Sequence, residues 1–321
     1  MRKLTIILLA TVLCLSFTAC GKETTTHSGI DIGVLSHDSV DVMGVTYDLY
    51  DNGYALIETI LHENAQLGES VTYNGTEYIV FGFIQPKVSN LQSTGAFGHG
   101  ETSSPANLIL PDSILNISNY ALAYCNANTI QLPSNSQTIG AGVFRKCRNI
   151  ENIVFPESVT YIGASKLFQN CTSLKSVTFP VGCEVQFFNS TFEGCTSLES
   201  VTIPASADYI GGLCFYQCYS LTSVTIEDGV ERIDEGAFMD CPMLSEIVIP
   251  DTVTTVADYA FQGCTGLTDV TLSDNMTDVS ANLFSNLDKQ TVDVSGMTIR
   301  VKADLVSYVQ SIYPSANVVA K

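Results

Sequence analysis

The sequence predicts a solenoid: a β-rich array of stacked 22–24-residue units, with a β cap before it and a strand–helix cap after it. Three observations carry that prediction. Cysteines recur at Cys125, Cys147, Cys171, Cys195, Cys218, Cys241 and Cys264, at spacings of 22, 24, 24, 23, 23 and 23 residues. Phe144, Phe168, Phe192, Phe215, Phe238 and Phe261 each stand three residues before a cysteine, and Leu122 takes that place in the first unit. A short β-rich run follows every cysteine, as in Val201-Thr202-Ile203-Pro204 and Ile247-Val248-Ile249-Pro250. Self-similarity at a fixed period of this length is the signature of a repeat architecture.

Each part of the unit has a physical role. Three residues after the cysteine comes Ile150, Leu174, Leu198, Leu221, Leu244 or Leu267. The pattern Leu-x-x-Val-x-Ile then turns alternate side chains inward, the period-2 signal of a half-buried strand. Proline cannot donate to a ladder, so it belongs at the strand's end, where the chain turns. An apolar pair three apart, such as Val159/Ile162 or Val230/Ile233, supplies a second wall. A single unit cannot bury this set alone, but a stack buries it continuously. Nine strand segments are expected along this wall, from Leu108-Ile109-Leu110 to Val292-Asp293-Val294.

The repeated Ala-Phe-x-x-Cys-x-x-Leu-x-x-Val-x-Ile-Pro-x-x-Val-x-x-Ile unit resembles the BspA-like leucine-rich repeat of bacterial surface proteins. The resemblance covers residues 91–295. Residues 41–90 are similar to the β-hairpin cap that opens such proteins, with Asp51-Asn52-Gly53 as a turn, and Val71 to Tyr78 reads as a second hairpin. Residues 296–321 resemble the closing cap, with a strand-like start and a helical stretch around Leu305 to Ile312. End caps matter because bare end rungs would expose core and strand edges. Two rungs depart from the pattern. Residues 181–191 put Cys183 and Gln186 where Val and Ile are expected and add Phe187-Phe188, which predicts a bulge or an exposed aromatic. Cys214 replaces the alanine before Phe215, four residues from Cys218. A local disulfide and a small buried side chain both fit there, and the packing period favours the second. His99 to Pro105 is a polar insertion near the first rung.

The first 19 residues have the order of a secretory signal: Met1-Arg2-Lys3, an apolar run from Leu4 to Phe17, then Thr18-Ala19 before Cys20. The run is shorter than the roughly 20 residues of a membrane span. Small residues before a cysteine followed by Gly21 resemble a lipoprotein signal, although Phe17 stands where such signals usually carry Leu. That resemblance implies cleavage before Cys20 and lipid on its sulfur; secretion without lipid is the alternative. Residues 20–40 then form a polar tether with a reach of roughly 25 Å.

Composition excludes several classes. The 321 residues carry 14 Lys and Arg against 33 Asp and Glu, a net charge of −19. Nucleic acid is an unsuitable partner for so acidic a chain, and membrane contact is expected only through the lipid anchor. The acidity keeps an exposed surface soluble and monomeric, or favours cationic partners. The four histidines, His27, His37, His62 and His99, all precede the regular array, so no repeat cysteine has an evident base to activate it. No Cys-x-x-Cys or His-x-x-x-His pair, phosphate loop or nucleophile elbow is present. No cofactor, metal or enzymatic activity is therefore expected.

Binding is the expected activity. Thr178, Thr202, Thr225 and Thr271, with Glu199 and Glu246, fall at outward positions of successive strands and would form one exposed sheet face. Repeat proteins commonly bind through such a face. Tyr161 and Tyr209, outward on the second wall, are aromatic candidates for an interface. The family resemblance implies surface exposure at the cell envelope and a protein partner, a host matrix component or another bacterial surface. Glycan capture and an envelope accessory role without catalytic activity are the alternatives, and the absence of Trp counts against the first.

Overall fold

The computed structural model describes residues 37–42, 45–50, 54–60, 67–73, 76–83, 106–187, 189–276, 279–285 and 293–321. The leader, Cys20, most of the tether, the turn at Asp51–Gly53, Phe188 and the His99–Pro105 insertion lie outside these residues.

The chain opens with a sheet of β1 (His37–Val42), β2 (Val45–Tyr50), β3 (Tyr54–Ile60), β4 (Ser70–Tyr73) and β5 (Thr76–Phe83). Its spatial order is β1-β2-β3-β5-β4. The two expected hairpins are present, β2 antiparallel to β3 and β4 antiparallel to β5. Alternation puts Val45, Tyr47 and Leu49 into the core with Ala55, Ile57, Val71 and Val80. The Glu69 carboxylate accepts hydrogen bonds from the backbone N–H of Asp112 and Ser113, both at 2.8 Å, which ties this cap to the first rung.

From residue 107 the chain winds a β-solenoid of about nine turns. Each regular rung has three sides. The first ladder runs through Asn107–Ile109, Thr129–Gln131, Asn152–Val154, Ser176–Thr178, Ser200–Ile203, Ser223–Ile226, Glu246–Val248 and Asp269–Thr271. Pairing is parallel and in register, as in Val201↔Val224 and Ile247↔Val270. Where strand pairing lapses, single bonds such as Glu199 N–H to the Lys175 carbonyl (3.3 Å) carry the ladder onward. The second ladder is made of shorter pieces, including Thr138–Ile139, Tyr161–Gly163, Tyr209–Ile210 and Arg232–Ile233.

The third wall holds the phenylalanines and cysteines, and its backbone alternates. From Phe144 to Phe238 the N–H of the wall's phenylalanine, and those two residues before and after it, donate to the next rung, as with Lys166, Phe168 and Asn170 onto Asn189, Thr191 and Glu193. The cysteine N–H instead turns back to its own rung, as Cys171 does to the Phe168 carbonyl. The flanking positions are left-handed: φ is +54° at Lys166, +62° at Asn170, +56° at Leu213 and +61° at Gln217. Side chains at such φ cost about 1–2 kcal/mol each, and the inter-rung hydrogen bonds offset that cost.

The core is one column of stacked rings. Phe144, Phe168, Phe192, Phe215, Phe238, Phe261 and Phe284 follow each other at centroid spacings of 5.3, 5.3, 5.2, 5.1, 5.6 and 5.9 Å. That repeat is slightly wider than the roughly 4.8 Å between neighbouring β-strands, so each ring lies over the one before it. The stack ends edge-on against Tyr313 at 5.2 Å. The Tyr313 hydroxyl accepts the Leu283 N–H at 3.2 Å and donates to the Ser280 carbonyl, satisfying groups that would otherwise reach for a further rung. The helix α1 (Val306–Ile312) brings Tyr313 there.

Two expectations need amendment, and one strand goes beyond them. The ninth first-ladder strand is Thr298–Val301, paired to Asp269–Thr271 as Asp269↔Thr298, not Val292-Asp293-Val294. Asp293 and Val294 instead lead into a turn closed by Met297 N–H on the Val294 carbonyl. The last rung is longer than its predecessors, so extrapolating their period places its strand too early. A final strand, Asn317–Ala320, pairs with Thr298–Val301 and lacked a sequence signal because it has no repeat to match. The irregular rung does bulge: Ile162 pairs with Val185, whereas the bridge to the following rung runs from Phe187 to Ile210. Val185 therefore takes the position assigned to Gln186, and Phe187 is core, edge-on to Phe179 and stacked on Phe192.

Candidate functional site

The outward side chains of the first ladder form two columns. Ser176, Ser200, Ser223, Glu246 and Asp269 stand in one; Val154, Thr178, Thr202, Thr225, Val248 and Thr271 stand in the other. Val154↔Thr178, Thr202↔Thr225 and Val248↔Thr271 are register partners. Thr178, Thr202, Thr225, Glu199 and Glu246 are exposed, and Thr271 is half-buried beside Arg300 of the next strand. The strands alternate faithfully because Val201, Ile203 and Ile226 point inward on the same short segments. Apolar side chains interrupt this polar face: Ile109, Val154 and Val248 are 58%, 68% and 60% exposed. At its first three rungs the face is hollowed into an open depression of about 510 Å³, lined by Asn107, Ile109, Thr129, Gln131, Asn152 and Val154 among others. None of these lining side chains is ionisable. Thr129 donates to Asn107 Oδ1 at 2.7 Å and Ser176 to Asn152 Oδ1 at 2.6 Å, so neighbouring rungs fix one another's polar groups.

Tyr161 and Tyr209 lie on the second ladder, a different wall from the threonines, and both are half-buried. The Tyr161 hydroxyl meets Gln186 Oε1 at 3.3 Å. The Arg232 guanidinium covers the Tyr209 ring at 4.6 Å while its Nε donates to Asp234 at 2.6 Å. The eight named positions therefore form two groups. Tyr219 and Tyr308, at 45% and 42% exposure, are more open to solvent and carried no repeat signal.

The cysteines are packing and hydrogen-bonding elements. All nine described cysteines, Cys183, Cys214 and Cys218 included, are buried free thiols. From Cys147 onward the repeat thiols donate to the carbonyl at the Phe position of the preceding rung, as Cys171 does to Phe144 (2.9 Å), Cys195 to Phe168 (3.1 Å), Cys218 to Phe192 (3.2 Å) and Cys241 to Phe215 (3.2 Å), whereas the Cys183 thiol faces the Glu184 carbonyl. Burial pushes the thiols of Cys147, Cys171, Cys195, Cys218 and Cys241 well above their ordinary range, and that of Cys214 up to about 12. Such thiols form no nucleophilic thiolate at neutral pH. Among the described residues no cluster of three His, Cys, Asp or Glu side chains could hold a metal, and no helix is long and apolar enough to cross a membrane.

Stacked 22–24-residue rungs, a buried Leu or Ile just before each strand from Asn152–Val154 to Asp269–Thr271 and a Phe–Cys wall define a leucine-rich-repeat solenoid. Residues 87–186 and 185–312 match the BspA type leucine rich repeat region, in 6 copies. The chain belongs to the BspA-type leucine-rich repeat family. No curated protein matches it. A leucine-rich repeat protein from Bacteroides ovatus has the same fold, at 20% identity and a TM-score of 0.56 over 82% of this chain and 70% of that one. A leucine rich cell surface protein from Faecalibacterium prausnitzii is 17% identical, with a TM-score of 0.46 over 89% of this chain and 95% of that one. A leucine rich repeat protein of T. pallidum is 23% identical, with a TM-score of 0.43 over 72% and 91%.

Proposed function

We propose that the protein is an exported lipoprotein, held at the cell surface by lipid on Cys20, whose first-ladder face binds a protein partner. Residues 1–19 are then the discarded leader and residues 20–40 the tether that lifts the solenoid off the envelope. The observation that supports this reading is the continuous exposed face through Thr178, Thr202, Thr225 and Val248 on rungs whose inward side is fully packed. A rigid face with threonines interrupted by single exposed apolar groups suits protein recognition, because little side-chain freedom is lost on binding. Membership of the BspA-type family supports a surface role.

The test has two parts. Protease and antibody should reach the solenoid on intact cells, and a solenoid inaccessible on intact cells sinks the surface assignment. Soluble residues 21–321 should bind saturably to a matrix or bacterial surface protein in a panel of proteins and glycans. Thr202→Asp with Thr225→Asp should abolish that binding while leaving the circular dichroism spectrum unchanged. Glycan capture is the second reading, favoured by the open depression in which the amides and hydroxyl of Asn107, Thr129, Gln131 and Asn152 alternate with the apolar Ile109, Leu132, Val154 and Pro156. Saturable binding to a sugar, lost on Gln131→Ala and Asn152→Ala, would move the assignment there.

A further inference from the structure

The net charge of −19 hides an island of the opposite sign. From Ser113 to Ile150 the chain contains no Asp or Glu, and in this stretch it carries Arg145, Lys146 and Arg148. Lys166 follows one rung later. All four lie on or just beyond the third wall of the second and third rungs, where backbone bonds such as Lys146 N–H to the Gln169 carbonyl hold neighbouring rungs together. The ring stack sets those rungs about 5.3 Å apart.

None of the four has a carboxylate partner among the described residues. Arg145 donates to the neutral Gln169 Oε1 at 2.8 Å, and the Gln169 amide in turn holds Glu193 at 2.8 Å, two rungs from the arginine. The Lys146 ammonium sits 5.0 Å from the centre of the Tyr124 ring. Arg148 is exposed and Lys166 half-buried. Glu151, the nearest acid in sequence, is bound by Lys175 at 2.8 Å. Among the described residues the other cations are paired: Lys175 with Glu151, Arg232 with Asp234, Arg300 with Asp269, Lys302 with Asp304 and Lys321 with Asp251. Four unpaired cations on adjacent rungs of so acidic a molecule call for an anion from outside it.

The flanks restrict what that anion can be. No Lys or Arg occurs from residue 23 to residue 86, a stretch that includes all five strands of the N-terminal sheet with Glu58, Glu69 and Glu77. On the other side, Arg232 is the only cation between residues 176 and 288, against Glu184, Glu193, Glu227, Asp234, Glu235, Asp240 and others. Charges are screened beyond about 8–10 Å at physiological salt, close to the extent of two rungs, so the island acts locally while its flanks repel anything longer. A polyanionic polymer or a lipid surface would run onto like charge, which costs free energy and selects against such partners. A compact group of carboxylates meets only the cations. Arg148 presents a planar fork suited to bidentate carboxylate contact.

We propose that the third wall at Arg145, Lys146, Arg148 and Lys166 is a docking surface for a short acidic segment of a protein partner, distinct from the threonine face. This inference rests on the protein-binding reading above and adds a second contact to it. The probe is a fluorescein-labelled pentaglutamate peptide, titrated into residues 21–321 at low ionic strength and followed by anisotropy. The expected result is saturable binding, weakened at least tenfold by Arg148→Glu with Lys166→Glu and unaffected by Lys302→Glu. Affinity should fall steeply as salt is added. Circular dichroism confirms that each variant is folded. Equal affinity of the double variant and the parent overturns the proposal, as does no binding at all at low salt. Tighter, Arg148-dependent binding of a long sulfated glycan or of phosphatidylglycerol vesicles overturns the choice of a compact acidic segment. A protein partner lost on Thr202→Asp with Thr225→Asp but indifferent to Arg148→Glu with Lys166→Glu would leave the protein-binding reading intact and refute this surface alone.

Discussion

Phe215→Ala is the sharpest perturbation of the stack that holds the array together. The ring is fully buried and lies parallel to two others, Phe192 at 5.2 Å with an interplanar angle of 9° and Phe238 at 5.1 Å with an angle of 2°. Truncating a buried phenylalanine to alanine costs roughly 3–5 kcal/mol. Both stacked neighbours are lost together, and the backbone on either side is pinned by Phe215 N–H to the Ala237 carbonyl at 2.7 Å and so cannot collapse into the gap. The cost should therefore sit near the top of that range, against a typical total stability of about 5–15 kcal/mol. Phe284→Ala makes the comparison, because that ring stacks on one array neighbour at 5.9 Å and meets Tyr313 edge-on. Its cost should fall near the bottom of the range, about 3 kcal/mol. In an array coupled only through neighbouring rungs, a central defect also separates the two halves. Urea unfolding followed by circular dichroism and tyrosine fluorescence should then show a lower midpoint and a broader or split transition for Phe215→Ala. A midpoint within about 1 kcal/mol of the parent, with an unchanged slope, would refute the idea that ring stacking couples the rungs.

Three further outcomes follow from the same structure. Leu221→Asp buries an unpaired charge at a site with no exposure and should cost several kcal/mol, whereas Thr225→Asp on the outward face should stay within about 0.5 kcal/mol; equal effects in urea titrations would invert the assignment of inside and outside. Cys147, Cys171, Cys195, Cys218 and Cys241 should resist a thiol-specific maleimide in native buffer at pH 7.5 and react fully in 8 M urea, since burial raises their pKa and denies access; rapid native labelling of any of them would contradict the packed ladder. Acidification should loosen the C-terminal cap first: the Asp274 N–H and the Lys321 ammonium hold Asp251 below the usual carboxylate range, and the Arg300 guanidinium does the same for Asp269. Depressed carboxylates stabilise the fold above their unfolded pKa of about 3.9 and lose that contribution as pH falls through their lower folded values, so hydrogen exchange over residues 298–320 should accelerate below about pH 4 and not between pH 5 and 8.

The inward face was legible in the sequence, and each failure has a local cause. Leu221, Phe215 and Cys218 recur because every rung must hand its neighbour the same shape, so stacking repeats the requirement until it stands out against chance. The period failed where the chain itself leaves it. Val185 and Phe187 straddle a bulge that serves one neighbour at each position, and two single-rung patterns overlap there. Thr298–Val301 completes the ladder only after a longer rung, and Asn317–Ala320 follows a helix with no counterpart in the array. Tyr313 replaces a whole rung's worth of hydrogen-bond partners with one hydroxyl, a role that one tyrosine in a sequence does not advertise.

The outward positions obey a different rule, and that is where function must be sought. An outward residue need only tolerate its backbone, so the repeat places no demand on whether Thr, Val or Glu stands there, and Thr225 and Val248 occupy one column with equal ease. Any departure from indifference on these positions therefore carries information that the fold does not explain. The threonine column is a weak departure, since threonine suits an exposed strand on its own account. The four cations of the third wall are a stronger one. Lys146 and Lys166 occupy left-handed positions that Gly142 and Gly194 fill elsewhere on the same wall without strain. Leu213 and Gln217 adopt the same φ, so the backbone does not call for lysine there. Lys146 gains a contact with the Tyr124 ring and hydroxyl, and with no carboxylate opposite either lysine the proposed acidic segment would supply the missing partner.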